Sequence, residues 1–279
     1  MTPARWRYLL RTSRPRFWLY LAGPVLVGAV YGAESLADLR SVRTVALVAY
    51  FLVPANVLLY GVNDVFDADA DAENPKKADR EVRYAGDRLV PAAVVASAVL
   101  GGLLLTTLPA VAGAAFAAFL ALALGYSAPP VRFKARPFLD SLSNGLYVLP
   151  GVVAYAALAG SLPPLPALVG GWLWTMGMHT FSAIPDIEAD RRAGIRTTAT
   201  VLGTRRTYWY CGLCFLAAAG VFGVLHPGLA VALGVYPVVV AAIARSDVAV
   251  TRAYWWFPAI NTVVGGVLTL GGLQGVVHG

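Results

Sequence analysis

"FLVPANVLLYGVNDVFDADADAENPKK", Phe51 to Lys77, starts as an apolar run and ends among crowded carboxylates. Five acids fall within the ten residues from Asp64 to Glu73. Ionised carboxylates are costly beside hydrocarbon, and neighbouring ones repel each other. The apolar half reads as a helix buried in lipid. The acidic half calls for a cation among its oxygens.

The rest of the chain agrees with the lipid reading. Of its 279 residues, 58% are hydrophobic and 13% charged, and the mean hydropathy is +0.65. A soluble domain is nearer a quarter charged. Apolar runs recur throughout, so the expected fold is an all-α polytopic membrane protein. Nine spans are expected, at about 17–33, 42–60, 89–107, 109–125, 139–159, 165–184, 207–225, 228–244 and 255–275. The fourth and eighth are short, so eight is an alternative. No separate soluble domain is visible, and 1–279 reads as a single transmembrane domain. The N-terminal segment reads as a retained first helix rather than a signal peptide.

The net charge of +7 could suggest nucleic acid in a soluble protein. Here topology explains it. Twenty of the 22 basic residues fall in loops that the nine-span layout puts on one side, and only Arg40 and Arg43 fall on the other. Cytoplasmic loops of membrane proteins concentrate Lys and Arg. In the cell membrane, the N-terminus is therefore expected on the cytoplasmic side and the C-terminus outside. Cys211 and Cys214, as C-G-L-C within an apolar run, read as small membrane residues rather than a redox or metal site.

Asp64, Asp67 and Asp71 are spaced i, i+3, i+7, on one face of a helix, with the Asn63 amide beside them. Asp186 and Asp190, spaced i, i+4, form a second such face. Eleven of the 15 acids lie in these two loops. Both faces end apolar spans on the same expected side. Carboxylates in this pattern suit a hard, oxygen-preferring cation. Mg2+ takes one or two carboxylates and completes its shell with water and phosphate oxygens. Two acidic faces with basic loops describe a Mg2+–diphosphate site, with the solvated-loop reading kept for Asp69, Glu73, Asp79, Glu81 and Asp87. "GVNDVFDADAD" and "AIPDIEADRRAG" also hint at a faint internal repeat.

"NDVFDADAD" (Asn63–Asp71) resembles the N-D-x-x-D-x-x-x-D motif of the UbiA superfamily of intramembrane prenyltransferases. "DIEAD" (Asp186–Asp190), followed by "RRAGIRTTATVLG", is similar to its second D-x-x-x-D motif. "YSAPPVRFK" (Tyr126–Lys134) is similar to its Y-S-x-P-P-x-R-x-K loop. Where many members read R-P-L-x-x-G after the first motif, this chain reads "REVRYAGD" (Arg80–Asp87). The resemblance implies nine helices around a central cavity open to the bilayer. It implies Mg2+ held by Asn63, Asp64, Asp67, Asp71, Asp186 and Asp190, and an isoprenyl diphosphate donor. Arg132, Lys134 and Tyr126 would bind the diphosphate by motif. Lys77, Arg80, Arg191 and Arg14 could do so by position. The acceptor would be lipophilic and drawn from the membrane lipid.

Tyr60, Tyr147 and Trp174 are possible cavity walls, and equally packing residues. His179 and Asn56 read either as cavity groups or as helix–helix hydrogen bonds. Asp140 reads as an interfacial ion pair with Arg136. No Lys or Arg lies deep in a span, which favours a neutral acceptor. "SRPRFWLYLAGPVLVG" (Ser13–Gly28) and the Phe51–Lys77 stretch are similar to the carotenoid branch, whose members add dimethylallyl to the ends of lycopene. Prenylation of a quinone precursor or another lipid remains open. A CDP-alcohol phosphotransferase would need a D-G followed by A-R beside these acids, which is missing. A cation transporter would place acids at mid-membrane depth.

Overall fold

The computed structural model describes residues 3–68, 84 and 86–278, and among these every regular element is helical. The chain divides into two compact units. The first is Met1–Arg132, Leu149–Leu162 and Leu268–Gly279; the second is Phe133–Val148 and Pro163–Val267.

The first unit contains α1 (Pro3–Thr12), α2 (Trp18–Gly32), α3 (Val42–Leu52), α4 (Pro54–Phe66), α5 (Leu89–Leu105), α6 (Ala110–Ser127) and α7 (Leu149–Ala159). Glycine sets how closely α2 meets α7. A Cβ on Gly28 would lie 2.0 Å from the Gly151 carbonyl oxygen, and one on Gly32 2.7 Å from that of Tyr155. Backbones this close need small residues, the usual device where lipid removes any hydrophobic drive between helices. Phe51, Phe116 and Phe119 are fully buried, with ring centroids 5.0 Å (Phe51–Phe119) and 5.5 Å (Phe51–Phe116) apart in edge-on contact. Such rings contribute about 0.5–1.5 kcal/mol per pair beyond their area.

α3 and α4 would be one helix but for Pro54, which has no N–H to donate. Val53 leaves helical geometry (φ −124°, ψ −61°). The Asn56 amide donates to the carbonyls of Phe51 (2.9 Å) and Leu52 (3.0 Å) at the break. Asn56 is therefore no bridge between helices, as its sequence position suggested. It serves carbonyls beside the break within its own span.

The second unit contains α8 (Leu165–Ser182), α9 (Ile187–Arg192), α10 (Thr198–Gly223), α11 (Pro227–Leu233), α12 (Val235–Arg245) and the first half of α13 (Phe257–His278). α8 lies on α10 through Gly177, where a Cβ would be 3.0 Å from the Phe215 ring. Phe181, Phe215, Tyr236 and Phe257 make its buried aromatic core. Trp174 packs edge-on against Tyr236 at 5.6 Å.

Five stretches among the described residues are long and apolar enough to cross a membrane: Val42–Phe66, Ala110–Ser127, Leu139–Ala159, Pro227–Arg245 and Val250–His278. The other expected spans are helical too, but shorter or more polar, so the count of nine is not reached on this measure. Trp209, Leu213 and Leu216 are all exposed along one stripe of α10. An exposed apolar stripe of this kind suits lipid. The protein is an all-α integral membrane protein.

Candidate active site

In the first unit the site begins where α4 ends. Asp64 lies in its last turn, 3% exposed, and Asp67 is its C-cap, with its N–H donating to the Asn63 carbonyl. α4 is held in place by α5, since a Cβ on Gly61 would come 2.6 Å from the Val94 side chain. The Arg14 guanidinium donates to Asp64 Oδ1 at 2.9 Å and stacks 4.5 Å above the Tyr60 ring. Planar and delocalised, it can serve carboxylate and ring together.

Two arginines of this site adopt left-handed backbone: Arg14 at φ 50° and Arg132 at φ 43°. That conformation costs a non-glycine residue about 1–2 kcal/mol. It persists where surrounding contacts over-determine it, and such sites are commonly functional. Arg132 donates to Asp67 Oδ1 at 3.1 Å, and its backbone N–H returns to the Ala128 carbonyl. Its side chain is 39% exposed, far more than that of Arg14 at 13%. The Arg132 Nε is buried without a hydrogen-bond partner among the described residues. Ser127 donates to Asn63 Oδ1 at 3.2 Å, fixing the amide oxygen proposed from sequence as a ligand. Tyr126 is half-buried in the last turn of α6.

Thus Asn63, Asp64, Asp67, Arg14 and Arg132 come together. Asp71, Lys77 and Arg80 lie outside the described residues. Sequence reasoning missed Ser127 as the partner of Asn63, although it stands next to Tyr126 in the quoted loop.

In the second unit Pro185 follows the end of α8, and Ile184–Asp186 form a single 3-10 turn. Asp186 is then the N-cap of α9, and Asp190 lies on that helix, both half-buried. The Ile195 N–H donates to the Asp190 carbonyl at 2.8 Å, and Gly194 supplies the left-handed residue (φ 68°) that the turn needs. Arg191 bonds Glu188 at 2.9 Å and the Thr200 carbonyl at 3.0 Å. Lys134 sits half-buried on the 3-10 turn Phe133–Ala135.

Asp140 is not the surface partner of Arg136. It is 1% exposed, and its oxygens accept from the Thr198 N–H (2.9 Å) and the Thr198 hydroxyl. Its contact with Arg136 is backbone only, N–H to carbonyl, as four-residue spacing in a turn dictates.

Among the described residues no group of three or more His, Cys, Asp or Glu could hold a metal alone. A cation that takes only one or two carboxylates and shares phosphate oxygens needs no such cage. Asn63, Asp64 and Asp67 offer the hard oxygen donors it prefers.

Relatives extend this picture. A lycopene elongase/hydratase of Haloferax volcanii is 62% identical over 272 residues, 98% of this chain and 90% of that one. A lycopene elongase/hydratase of Halobacterium salinarum is 59% identical over 98% of this chain and 99% of its own. A UbiA homologue from Archaeoglobus fulgidus, solved with GPP and Mg2+, has the same fold: TM-score 0.76 at 19% identity, covering 96% of this chain and 99% of that one. Residues 21–268 match the UbiA prenyltransferase family, and the chain belongs to that family.

Proposed function

We propose that residues 1–279 act as one Mg2+-dependent prenyltransferase domain in the cell membrane, with dimethylallyl diphosphate as donor and the ends of lycopene as acceptor. The observation that carries this reading is the 62% identity to a lycopene elongase/hydratase over 98% of this chain. The N-terminus and the acid-bearing loops would face the cytoplasm, where the donor is soluble, and the C-terminus would lie outside.

Asn63, Asp64, Asp67 and Asp71, with Asp186 and Asp190, would hold the metal. When bound, Mg2+ supplies Lewis-acid stabilisation of charge on the departing diphosphate. Arg132, Lys134, Arg14, Tyr126, Lys77, Arg80 and Arg191 would hold phosphate oxygens, placing donors where that charge develops. The donor C1–O bond breaks and its electron pair leaves with diphosphate. The allyl carbon then bonds the terminal double bond of lycopene. The resulting tertiary cation loses a proton or captures water. Apolar walls keep water from the allyl cation until the carbon–carbon bond forms.

Co-expression with lycopene-forming enzymes tests this reading. Pigments longer than lycopene by five carbons at one or both ends are expected. They should be absent with Asp64→Ala. Unchanged lycopene, with donor present and the protein in the membrane, overturns the acceptor; transfer to an added quinone precursor instead would reassign it.

A further inference from the structure

Asp140 stands outside every motif that the function has used. It is a buried carboxylate, and among the described residues no Lys or Arg pairs with it. Burying such a group is costly unless its oxygens are fully bonded. Here each oxygen has one donor, both from one residue: the Thr198 N–H reaches Oδ2 and its hydroxyl reaches Oδ1. Thr198 is the first residue of α10, so the carboxylate also meets the positive end of that helix.

α10 does not need this acid as a cap. Thr197 and Thr200 already form a reciprocal capping box, each side chain accepting the other's N–H. What the acid adds is attachment. The same Thr198 hydroxyl oxygen accepts the Phe138 N–H at 2.7 Å, and Phe138 has φ 68°. The Phe138 side chain is 50% exposed, so the backbone is not bent to bury it. Strained backbone here serves to bring Phe138 and Asp140 onto one threonine. The Asp140 carbonyl in turn accepts from Asn144 and Ser143.

Each end of this clasp leads to a proposed diphosphate or metal group. On one side, Lys134 lies four residues before Phe138. On the other, the first turn of α10 holds the second acidic motif through Arg191, which bonds the Thr200 carbonyl. Ile195 ties back to Asp190.

We propose that Asp140 is a positioning residue whose clasp on Thr198 fixes the Lys134 turn relative to the Asp186–Asp190 segment. This rests on the reading of those residues as diphosphate and metal groups. Removing the clasp lets the two segments drift, and displacements near 1 Å can cost about a hundredfold in a well-aligned site.

The experiment uses full-length protein in nanodiscs. Inorganic pyrophosphate binding with Mg2+ is measured by calorimetry, and donor KM and kcat by prenyl transfer. Asp140→Ala and Thr198→Val should weaken pyrophosphate binding and raise donor KM about tenfold or more. Thr198→Ser, which keeps hydroxyl and N–H, should restore both. If Asp140→Ala does not fold, Thr198→Val carries the test, since valine matches threonine in shape. A folded Thr198→Val with unchanged pyrophosphate affinity and KM overturns the inference, as does activity lost only in proportion to unfolded protein. Wild-type protein that binds no pyrophosphate with Mg2+ would sink the functional reading itself, and the clasp's role with it.

Discussion

At the end of α4, Asp64 is 3% exposed and bonded to Arg14, fifty residues away in sequence. Asp67 is bonded to Arg132, sixty-five residues away. Around α9, Asp186 and Asp190 are half-buried, and the cation beside them, Arg191, turns to Glu188 three residues back and to the Thr200 carbonyl nine residues on. One acidic segment is held by distant parts of the fold. The other is shaped by a proline break, a glycine turn and the start of the next helix. Similar sequence patterns can carry similar chemistry on supports of different reach, and the difference should appear in stability more than in catalysis.

The largest contrast should come from removing one acid in each segment. Asp64→Ala and Asp186→Ala should each cut prenyl transfer by about a hundredfold or more, as loss of an electrostatic contact to developing charge does. Asp64→Ala should also lower stability more than Asp186→Ala, by about 1–3 kcal/mol, because a buried, charge-assisted bond to Arg14 is lost. Thermal melts of the two purified variants check this. Equal melting shifts would erase the distinction.

Next in size is Arg14→Lys. Lysine keeps the charge but loses the planar group that lies on Tyr60 while reaching Asp64. A loss of about 1–3 kcal/mol is expected, since a hydrogen bond to a charged group is weakened within a buried pair. Chemical unfolding of variant and parent would measure it. A lysine variant as stable as the parent means that the stacking contributes nothing.

Arg132→Ala should separate stability from function. Its pair is partly solvated, so stability should fall by no more than about 1 kcal/mol. On the proposed diphosphate role, donor KM should still rise, by about tenfold, for loss of a charge-assisted bond to phosphate. Steady-state kinetics beside a melt would resolve the two.

The smallest effect concerns Asp87, which caps α5 through the N–H groups of Leu89 (2.7 Å) and Val90 (3.3 Å). Desolvation pushes its pKa up, but the nearby Tyr8 side chain and these N–H groups outweigh it, leaving the carboxyl below its ordinary value. A lowered folded pKa contributes stability that is complete above the unfolded value, about 3.9, and lost as pH falls through the folded value. Melting temperature should therefore drop less with acid in Asp87→Asn than in the parent. The shift should be slight, since the group is mostly solvated.

Much of this was legible beforehand. Apolar runs gave the helices because lipid leaves backbone groups no partner but their own segment. The spacing put the aspartates on one helix face each; Asp64 lies in the last turn of α4 with Asp67 as its C-cap, Asp71 is outside the described residues, and Asp186 is the N-cap of the helix that carries Asp190. Asp140 was misread because its true partner, Thr198, is 58 residues away and its apparent one only four. Asn56 was misread because its amide serves a break that Pro54 makes next to it. In the first case distance in sequence concealed the contact; in the second, a local need took priority over any partner on another helix.

The sequence by itself determined the membrane helices, the two acidic segments and the family, since periodicity, charge and motif are properties of neighbouring residues. Only the tertiary structure decided which cation holds which acid, why two arginines bear left-handed backbone, and where Asp140 is anchored. Those contacts join residues fifty or more positions apart, and no pattern along the chain records which distant side chains packing will bring within hydrogen-bond reach.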